Sequence, residues 1–297
     1  MKSKLLIVSV LVLFIGTFVA FVGCTKNTNP QPSKNDTITV RDTTTDTLYA
    51  AKPDSTVNLS KGLLLYLPFS GNIADSSGNA NPTTAVGTVL TYDEHGYANH
   101  AFGADGSGTE KVFVTNNGSI KFDTAWSLSV GFMVNDSRAE TYISMVDPVT
   151  GYGPSFNFGN TTASSPYYLN TGTGDISTDC DTYGIVNNIN ISDTTYWLPN
   201  PGSWYKAVVI YHKGTVMTYI NGNLISTKVG QGTQALLCPN SQVIIGAWWN
   251  GTPQGLNGKL DNIRLYNRVL TPHEIAVLST NYQVTSNSVK AMPQTAH

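Results

Sequence analysis

Charge is scarce in this 297-residue sequence: Asp, Glu, Lys and Arg together make up 12% of it, and the formal net charge is −2. An average soluble protein carries roughly 25% charged residues. Coiled coils and helix-rich enzymes use Glu, Lys and Arg on their solvated faces, so the composition argues against both. Binding of phosphate backbones needs a concentrated basic surface, which 17 Lys and Arg in total do not suggest. We therefore expect no nucleic-acid partner.

Residues for hydrolytic or metal chemistry are also few. The five His, at positions 95, 100, 212, 273 and 297, include no pair at helical metal-ligand spacing, and no nucleophile-elbow motif accompanies them. The pattern predicts structural or solvated histidines.

The first residues have the pattern of an export signal. Two lysines precede an apolar run from Leu5 to Phe21, and Phe21-Val22-Gly23-Cys24 follows. This segment resembles a bacterial lipobox, in which the Cys takes a diacylglycerol before the signal peptide is cut. The resemblance implies a signal peptide over 1–23, a lipid anchor on Cys24 and attachment to a membrane of the cell envelope, in the outer membrane and facing the periplasm or the surface. An uncleaved anchor is the alternative, because 17 residues nearly span a thinned bilayer.

The residues that follow predict a spacer. Positions 24–59 are rich in Thr, Asp, Asn, Ser and Pro and contain few large apolar side chains, too few to offset the entropy of an ordered chain. We expect a flexible polar tether here, and a polar tail over 283–297.

Residues 60–282 have the periodicity of strands. Apolar side chains alternate from Leu63 to Phe69 and from Trp126 to Val134, as in sheets with one buried face. Asn221-Gly222 lies between two apolar runs, and both residues tolerate the positive φ of a type I′ hairpin turn. One helix is predicted at Thr271-Pro272-His273-Glu274, which has the pattern of a capping box with proline at the first position. We expect one all-β sandwich with one short C-terminal helix.

Three segments carry a family resemblance. Leu64 to Asn79 (LLYLPFSGNIADSSGN), the run from Trp204 through YKAVVIY and VMTYINGNLI, and Gly258 to Leu270 (GKLDNIRLYNRVL) occur in the order found in laminin G-like, concanavalin A-like jelly rolls. The sequence is identified as a member of this group, with a concanavalin A-like jelly-roll β-sandwich as the implied fold. Such folds include lectin-like modules, adhesion domains and glucanases, so function must be argued from the site.

The resemblance also implies a structural Ca²⁺ between the opening loop and the final strand. It assigns this role to Asp75 and Asp261, and further to Asn72 and Asn79, all of which offer the hard oxygen ligands that calcium prefers. Asp261 shares strand parity with Ile263 and Leu265, so we expect its carboxylate near the core, where a charge needs neutralisation. In the alternative, Asp75 and Asn79 make Asx-turns while Asp261 pairs with Arg264 or a backbone amide.

Two adjacent indoles mark a candidate ligand site. Trp248 and Trp249 end a predicted strand, and because neighbouring residues on a strand point to opposite faces, at most one indole should be in the core. The other, with Asn250 and Gln254 beside it, would stack on a sugar ring and bind its hydroxyls. The alternative is that both indoles simply cover the end of the sandwich.

Catalysis on glycans requires a pair of carboxylates in retaining enzymes, about 5–5.5 Å apart. The glucanases of this fold place Glu-x-Asp-x-x-Glu or a similar run on one strand, whereas the four Glu of this chain, at positions 94, 110, 140 and 274, form no such run. A catalytic pair scattered through the fold is left open. Cys180 and Cys238 remain as an even pair in an oxidising compartment, either as a disulfide or as two free thiols.

These observations favour a non-catalytic envelope lipoprotein whose lectin-like jelly roll binds a glycan or glycoconjugate. The alternatives are a protein-adhesion or envelope-assembly module with a protein partner, and a glycan-cleaving enzyme with an atypical carboxylate pair.

Overall fold

The computed structural model describes residues 57–160, 169–174, 180–181, 197–230, 232–249 and 254–280. Within these ranges fourteen strands and one helix are present. The strands are β1 (Leu63–Leu67), β2 (Thr83–Val86), β3 (Leu90–Thr91), β4 (Ala101–Asp105), β5 (Lys111–Val114), β6 (Ala125–Val134), β7 (Thr141–Val146), β8 (Phe156–Asn160), β9 (Leu169–Thr173), β10 (Trp204–His212), β11 (Thr215–Ile220), β12 (Asn223–Val229), β13 (Gln242–Ile245) and β14 (Asn257–Tyr266). The helix is α1 (Pro272–Ser279).

The described strands form two antiparallel sheets. The larger has the order β12-β11-β10-β6-β14-β4-β3, with β1 also paired to β14, and the smaller has the order β2-β5-β13-β7-β8-β9. The expected all-β jelly-roll sandwich is therefore confirmed. The long-range pairing of β1 with β14 brings the opening segment against the closing strand, in the antiparallel register Tyr66↔Arg264.

The core lies between the two sheets and follows the predicted alternation. On β6 the inward side chains include Trp126, Leu128 and Phe132, each at most 2% exposed. Trp126 contacts Phe156 of the other sheet, with ring centroids 4.9 Å apart. The residues between them on β6 point to the outer face of the larger sheet, where the site described below lies.

Two local predictions are confirmed in geometry. Asn221 and Gly222 have φ values of 49° and 81° and connect β11 to β12, as a type I′ turn requires. Helix α1 begins with the full capping box: the Thr271 hydroxyl accepts from the amide of Glu274, whose carboxylate accepts from the amide of Thr271.

Helix α1 covers one half of the outer face of the larger sheet. Ile275 and Leu270 pack there against Val208, Ile210 and Tyr266, in a second apolar cluster separate from the main core. Arg268 fixes the start of the helix, because its guanidinium donates to both carboxylate oxygens of Glu274 at 2.7 Å.

Candidate functional site

A groove of about 380 Å³ lies on the other half of that outer face. Its floor is formed by β6, β10 and β14. One wall is the loop between β3 and β4, and the C-terminal end of α1 also lines the groove, together with Pro68 and Ser70 after β1. A volume of this size is within the usual range of small-molecule sites.

The floor is a row of three residues on neighbouring strands. Lys206 of β10 pairs with Gly131 of β6, and Gly131 pairs in turn with Asp261 of β14. Because glycine has no side chain, the lysine side chain can occupy the space above it. A Cβ atom on Gly131 would lie 3.0 Å from Nζ of Lys206, so the ammonium group extends over the glycine.

The position of Asp261 corrects the expectation from strand parity. The register of β14 against β6 shifts between Asp261 and Arg264, and Asn262 has a φ of 52°. This bulge inserts an extra residue, so Leu260 and Ile263 both face the core while Asp261 faces outward. The predicted core-facing carboxylate is therefore wrong, and Asp261 lies on the groove floor instead.

Asp261 is buried although it faces the groove, with 4% of its surface exposed. Its two carboxylate oxygens accept from the backbone amide and the side-chain amide of Asn262, at 2.7 and 2.8 Å. Burial raises the pKa of Asp261 to about 6, the negative charge of Asp93 acts in the same direction, and the Asn262 hydrogen bonds and Lys206 oppose the rise.

The wall formed by the β3–β4 loop is held by its own short-range bonds. Asp93 accepts from the backbone amides of His95 and Tyr97, and Gly96 takes the positive φ of 82° that this tight turn requires. Glu94 then accepts from Nζ of Lys206, which joins the loop to the floor. The ammonium of Lys206 and the carboxylate of Glu94 thus neutralise each other.

A second cation lies along the same floor. The guanidinium of Arg264 stacks 3.9 Å from the ring centroid of Tyr66, and its Nη1 donates a long bond of 3.4 Å to the carbonyl of Asn262. The Tyr66 hydroxyl donates to the side-chain oxygen of Asn262. Tyr66 of β1 therefore stabilises the bulge at Asn262.

Aromatic side chains form the rim. Tyr97 is 57% exposed, and its ring centroid is 5.7 Å from that of His100. Both line the groove above the polar floor. An exposed aromatic ring over carboxylate and amide groups offers a stacking surface together with hydrogen-bond acceptors and donors.

The residues predicted to bind calcium lie elsewhere, apart from Asp261. Asp75 follows β1, and its carboxylate accepts from the amides of Tyr66, Ser77 and Asn81, from the Ser77 hydroxyl and from the side-chain amide of Asn81. These bonds outweigh the effect of burial, and the pKa of Asp75 is lowered.

The two asparagines in that prediction have different contacts. Asn79 directs its amide nitrogen at the carbonyls of Leu63 and Leu64, and the exposed Asn72 accepts from the amide of Ala74.

This arrangement does not fit one ion shared by Asp75 and Asp261. The Asp75 carboxylate is surrounded by N–H and O–H donors. Asp75 and Asp261 are also associated with opposite ends of Tyr66. Asp75 accepts from the backbone amide of Tyr66, whereas Asn262, next to Asp261, accepts from its phenol hydroxyl. Asp75 makes the Asx-turn of the alternative and Asp261 accepts from a backbone amide, whereas Asn79 instead donates to the carbonyls of Leu63 and Leu64. The calcium site stays a prediction.

The described residues of the predicted tryptophan site pack against, or form hydrogen bonds with, other parts of the protein. Trp248 and Trp249 are both half-buried. Trp249 lies against the backbone of Gly151, where an added Cβ would be 2.4 Å from its Nε1. Gln254 bonds through its carbonyl to the amide of Thr141 and through its side chain to the Thr141 hydroxyl. Asn250 lies outside the described residues.

Cys180 and Cys238 are joined in a disulfide, with their Cα atoms 5.6 Å apart. Gly153 packs against it: a Cβ at that position would lie 2.5 Å from Sγ of Cys238. The bridge ties the chain before β13 to a segment 58 residues earlier in sequence.

The predictions on Cys24, the tether and the tail lie outside the described residues. None of the helices in the described part of the chain has the length and apolar character needed to cross a membrane.

Sequence reasoning missed Glu94, Lys206 and Arg264 as site residues. One signal was present: Lys206 shares strand parity with the buried residues Val208 and Ile210, and a charged residue on an otherwise apolar face needs a partner. The partner itself, Glu94, is 112 residues away and no local pattern indicates it.

Comparison with known families gives one match. The model of the concanavalin A-like lectin/glucanases superfamily, in its laminin G type, matches residues 105–276. A comparison with curated protein sequences finds no match.

Several solved structures share the fold at low sequence identity. Domain 4 of AbnA, an extracellular arabinanase from Geobacillus stearothermophilus solved with arabinotriose, is 19% identical with a TM-score of 0.50, over 73% of this chain and 98% of that domain. The binding domain of Paraclostridial Mosquitocidal Protein 1 is 18% identical with a TM-score of 0.54, over 75% of this chain. That of botulinum neurotoxin serotype G is 15% identical with a TM-score of 0.52, over 73%. The chain spans about half of each toxin domain, 52% and 50%.

Proposed function

We propose that this chain, which belongs to the concanavalin A-like lectin/glucanases superfamily, binds a glycan in the groove on the outer face of its larger sheet. The observation that carries the proposal is the floor of the groove. Asp261 lines the groove with 4% of its surface exposed, and the ammonium of Lys206, a hydrogen-bond donor, lies over Gly131 beside it. A buried carboxylate on the floor of an accessible groove is suited to accept hydrogen bonds from ligand hydroxyls.

The rim supports the same reading. Sugar rings have an apolar face, and the exposed ring of Tyr97 offers a surface on which that face can stack while the hydroxyls point to the floor. Asn262 also lines the groove, and its side-chain amide bonds to Asp261 and Tyr66. The likeness to the arabinanase domain, which was solved with arabinotriose, adds support from a domain of similar fold.

Binding without cleavage is part of the proposal. Each glutamate already has a structural role: Glu94 bonds to Lys206, Glu110 to Ser107 and Thr109, Glu140 to the amide of Asn257, and Glu274 to Arg268. New reducing ends after incubation with a bound polysaccharide would overturn this part and favour a glycan-cleaving enzyme.

We further propose an envelope lipoprotein anchored through Cys24. The support is the lipobox-like sequence and the polar spacer after it. Many copies tethered to one membrane would gain avidity from weak single sites. Replacement of Cys24 by Ser should release the protein from the membrane fraction and abolish incorporation of labelled fatty acid. Unchanged fractionation with no label in the natural protein would contradict lipidation.

A glycan array with the purified full-length chain tests the binding function. Asp261→Asn keeps the shape of the side chain but replaces a charged acceptor, so we expect binding to weaken by about tenfold or more. Asp123→Asn is the matched control, because it removes the same charge from an exposed position before β6. Melting temperatures establish that both variants fold. Equal binding by all three proteins would exclude this groove, and a loss on Trp248→Ala alone would favour the indoles.

A further inference from the structure

The charges in the groove do not all cancel. Lys206 and Glu94 form an ion pair, so these two leave no net charge. Asp261 has no Lys, Arg or His nitrogen within 4.0 Å among the described residues, and in the same part of the chain Arg264 has no carboxylate oxygen within that distance. One anion and one cation that form no ion pair therefore line the same groove, although Lys206 attracts Asp261 from a longer distance.

The two groups are near each other but do not pair. Asp261 is opposite Gly131 on β6, and Arg264 is opposite Ser129, two residues along the same strand. The backbone separation is thus about 7 Å, at about 3.3 Å per residue. Arg264 is held away from Asp261 by its stacking on Tyr66 and its bond to the Asn262 carbonyl, while Asp261 is held by the Asn262 amides.

A further acidic group strengthens the negative end. Asp93 lines the groove beside Asp261, and its carboxylate accepts only backbone amides, those of His95 and Tyr97, among its hydrogen bonds in the described residues. A ligand cation placed at Asp261 would therefore also be attracted by Asp93. The attraction of these two carboxylates for a cation falls off toward Arg264, whose positive charge favours an anion.

Resting on the proposed function, we infer that the groove is selective for a zwitterionic sugar, one that carries an amino group and a carboxylate or phosphate group. The ammonium binds Asp261 and the anion binds the guanidinium of Arg264. Both charged groups must belong to one ligand, so that a single molecule contacts both side chains. A neutral sugar leaves both protein charges without a counter-charge, and a singly charged sugar satisfies one of them.

Four related sugars separate these contributions: glucose, glucosamine, N-acetylmuramic acid and muramic acid. They carry, in order, neither group, the amine alone, the carboxylate alone, and both. Binding to the full-length chain is followed by NMR titration at pH 7 in the presence of EDTA. We expect muramic acid to bind at least about tenfold more tightly than glucose, with the two singly charged sugars between them.

Variants assign each charge to its partner. In Asp261→Asn the ligand amine should no longer increase the affinity, while the ligand carboxylate still does. In Arg264→Gln the carboxylate should no longer increase the affinity, while the amine still does. Asp123→Asn and Lys121→Gln, at exposed positions, are the charge-matched controls and should keep both advantages.

The outcomes distinguish the inference from the function on which it rests. Equal affinity for all four sugars, with array glycans still bound in an Asp261-dependent way, would overturn the zwitterion preference alone. Loss of both advantages in either control would also overturn it. No binding of any glycan would overturn the proposed function. If added Ca²⁺ in place of EDTA removes the amine advantage, calcium rather than a ligand amine is the natural partner of Asp261.

Discussion

The two halves of one sheet face have opposite characters although the same three strands build them. Across β10, β6 and β14 the residues opposite one another are Lys206, Gly131 and Asp261 in the groove half, and Ile210, Ser127 and Tyr266 in the half under α1. Between these rows lies the row of Val208, Ser129 and Arg264. The outer face thus changes from charged to apolar within two successive same-face positions along these strands.

The difference shows how a site is separated from the core that supports it. Under α1 the small residue Ser127 donates to the carbonyl of Arg268, so the middle strand leaves room for helix side chains. In the groove the small residue Gly131 leaves room for the side chain of Lys206 instead. We therefore expect changes under the helix to affect stability, and changes in the groove to affect binding.

The largest expected effect is on the covered half. Ile275→Ala removes a side chain that is 4% exposed and should lower the free energy of unfolding by about 3 kcal/mol, or the Tm by roughly 6 to 12 °C. Thermal unfolding measures this, with the exposed His273→Ala as control. Glycan affinity measured well below the Tm should not change. A loss of binding in the folded variant would show that the two halves are not independent.

A second prediction contrasts Asp261 with another buried carboxylate, Glu140, which lies outside the groove. Burial raises the pKa of Glu140 to about 8, and its Oε1 accepts from the amide of Asn257. Because the folded state holds the proton more tightly than the unfolded state, this contribution to stability is complete below about pH 4.5 and is lost as the pH rises to about 8.

Glu140→Gln should therefore flatten the fall in unfolding free energy between pH 5 and 8, with a gain on the order of 2 kcal/mol at pH 8. Urea unfolding at several pH values measures the slope, and Glu110→Gln is the control for removal of a glutamate outside this network. If the unfolding free energy of Glu140→Gln falls with pH as steeply as that of the natural protein, the raised pKa of Glu140 is contradicted. Glycan affinity at pH 7 should be the same as in the natural protein.

A third prediction contrasts Asp261 with Asp75. Asp75→Asn places amide hydrogens against the donors of Ser77 and Asn81, so the free energy of unfolding should fall by about 1 to 2 kcal/mol. Binding should be kept, the reverse of the result for Asp261→Asn. A variant of Asp75 that folds normally and no longer binds would place the ligand at the opening loop.

The smallest expected effect concerns calcium. Since hydrogen bonds from protein donors already occupy the oxygens of the Asp75 carboxylate, we expect EDTA to leave the Tm unchanged. Metal analysis of the natural protein accompanies the measurement, and magnesium is the control addition. A Tm that falls with EDTA and is restored by Ca²⁺ would support the sequence-based calcium prediction in place of the hydrogen-bonded turn.

Local patterns in the sequence predicted much of the fold. The turn at Asn221-Gly222 and the cap at Thr271 depend on residues at most three positions apart, and alternation from Trp126 to Val134 assigns the core side of β6 directly. The groove was not predicted, because Lys206, Gly131 and Asp261 become neighbours only through the strand register. Parity also misplaced Asp261, since the bulge at Asn262 leaves no clear mark in a single sequence.

Mapping of the bound ligand by NMR is the sharpest test of glycan binding in this groove. Backbone amide shifts of the labelled full-length chain are followed as a glycan from the array is added. We expect the largest changes in residues 93–97, 129–131 and 261–264, with little change under α1. Changes concentrated at 248–254, or none in the groove at saturating ligand, would contradict it.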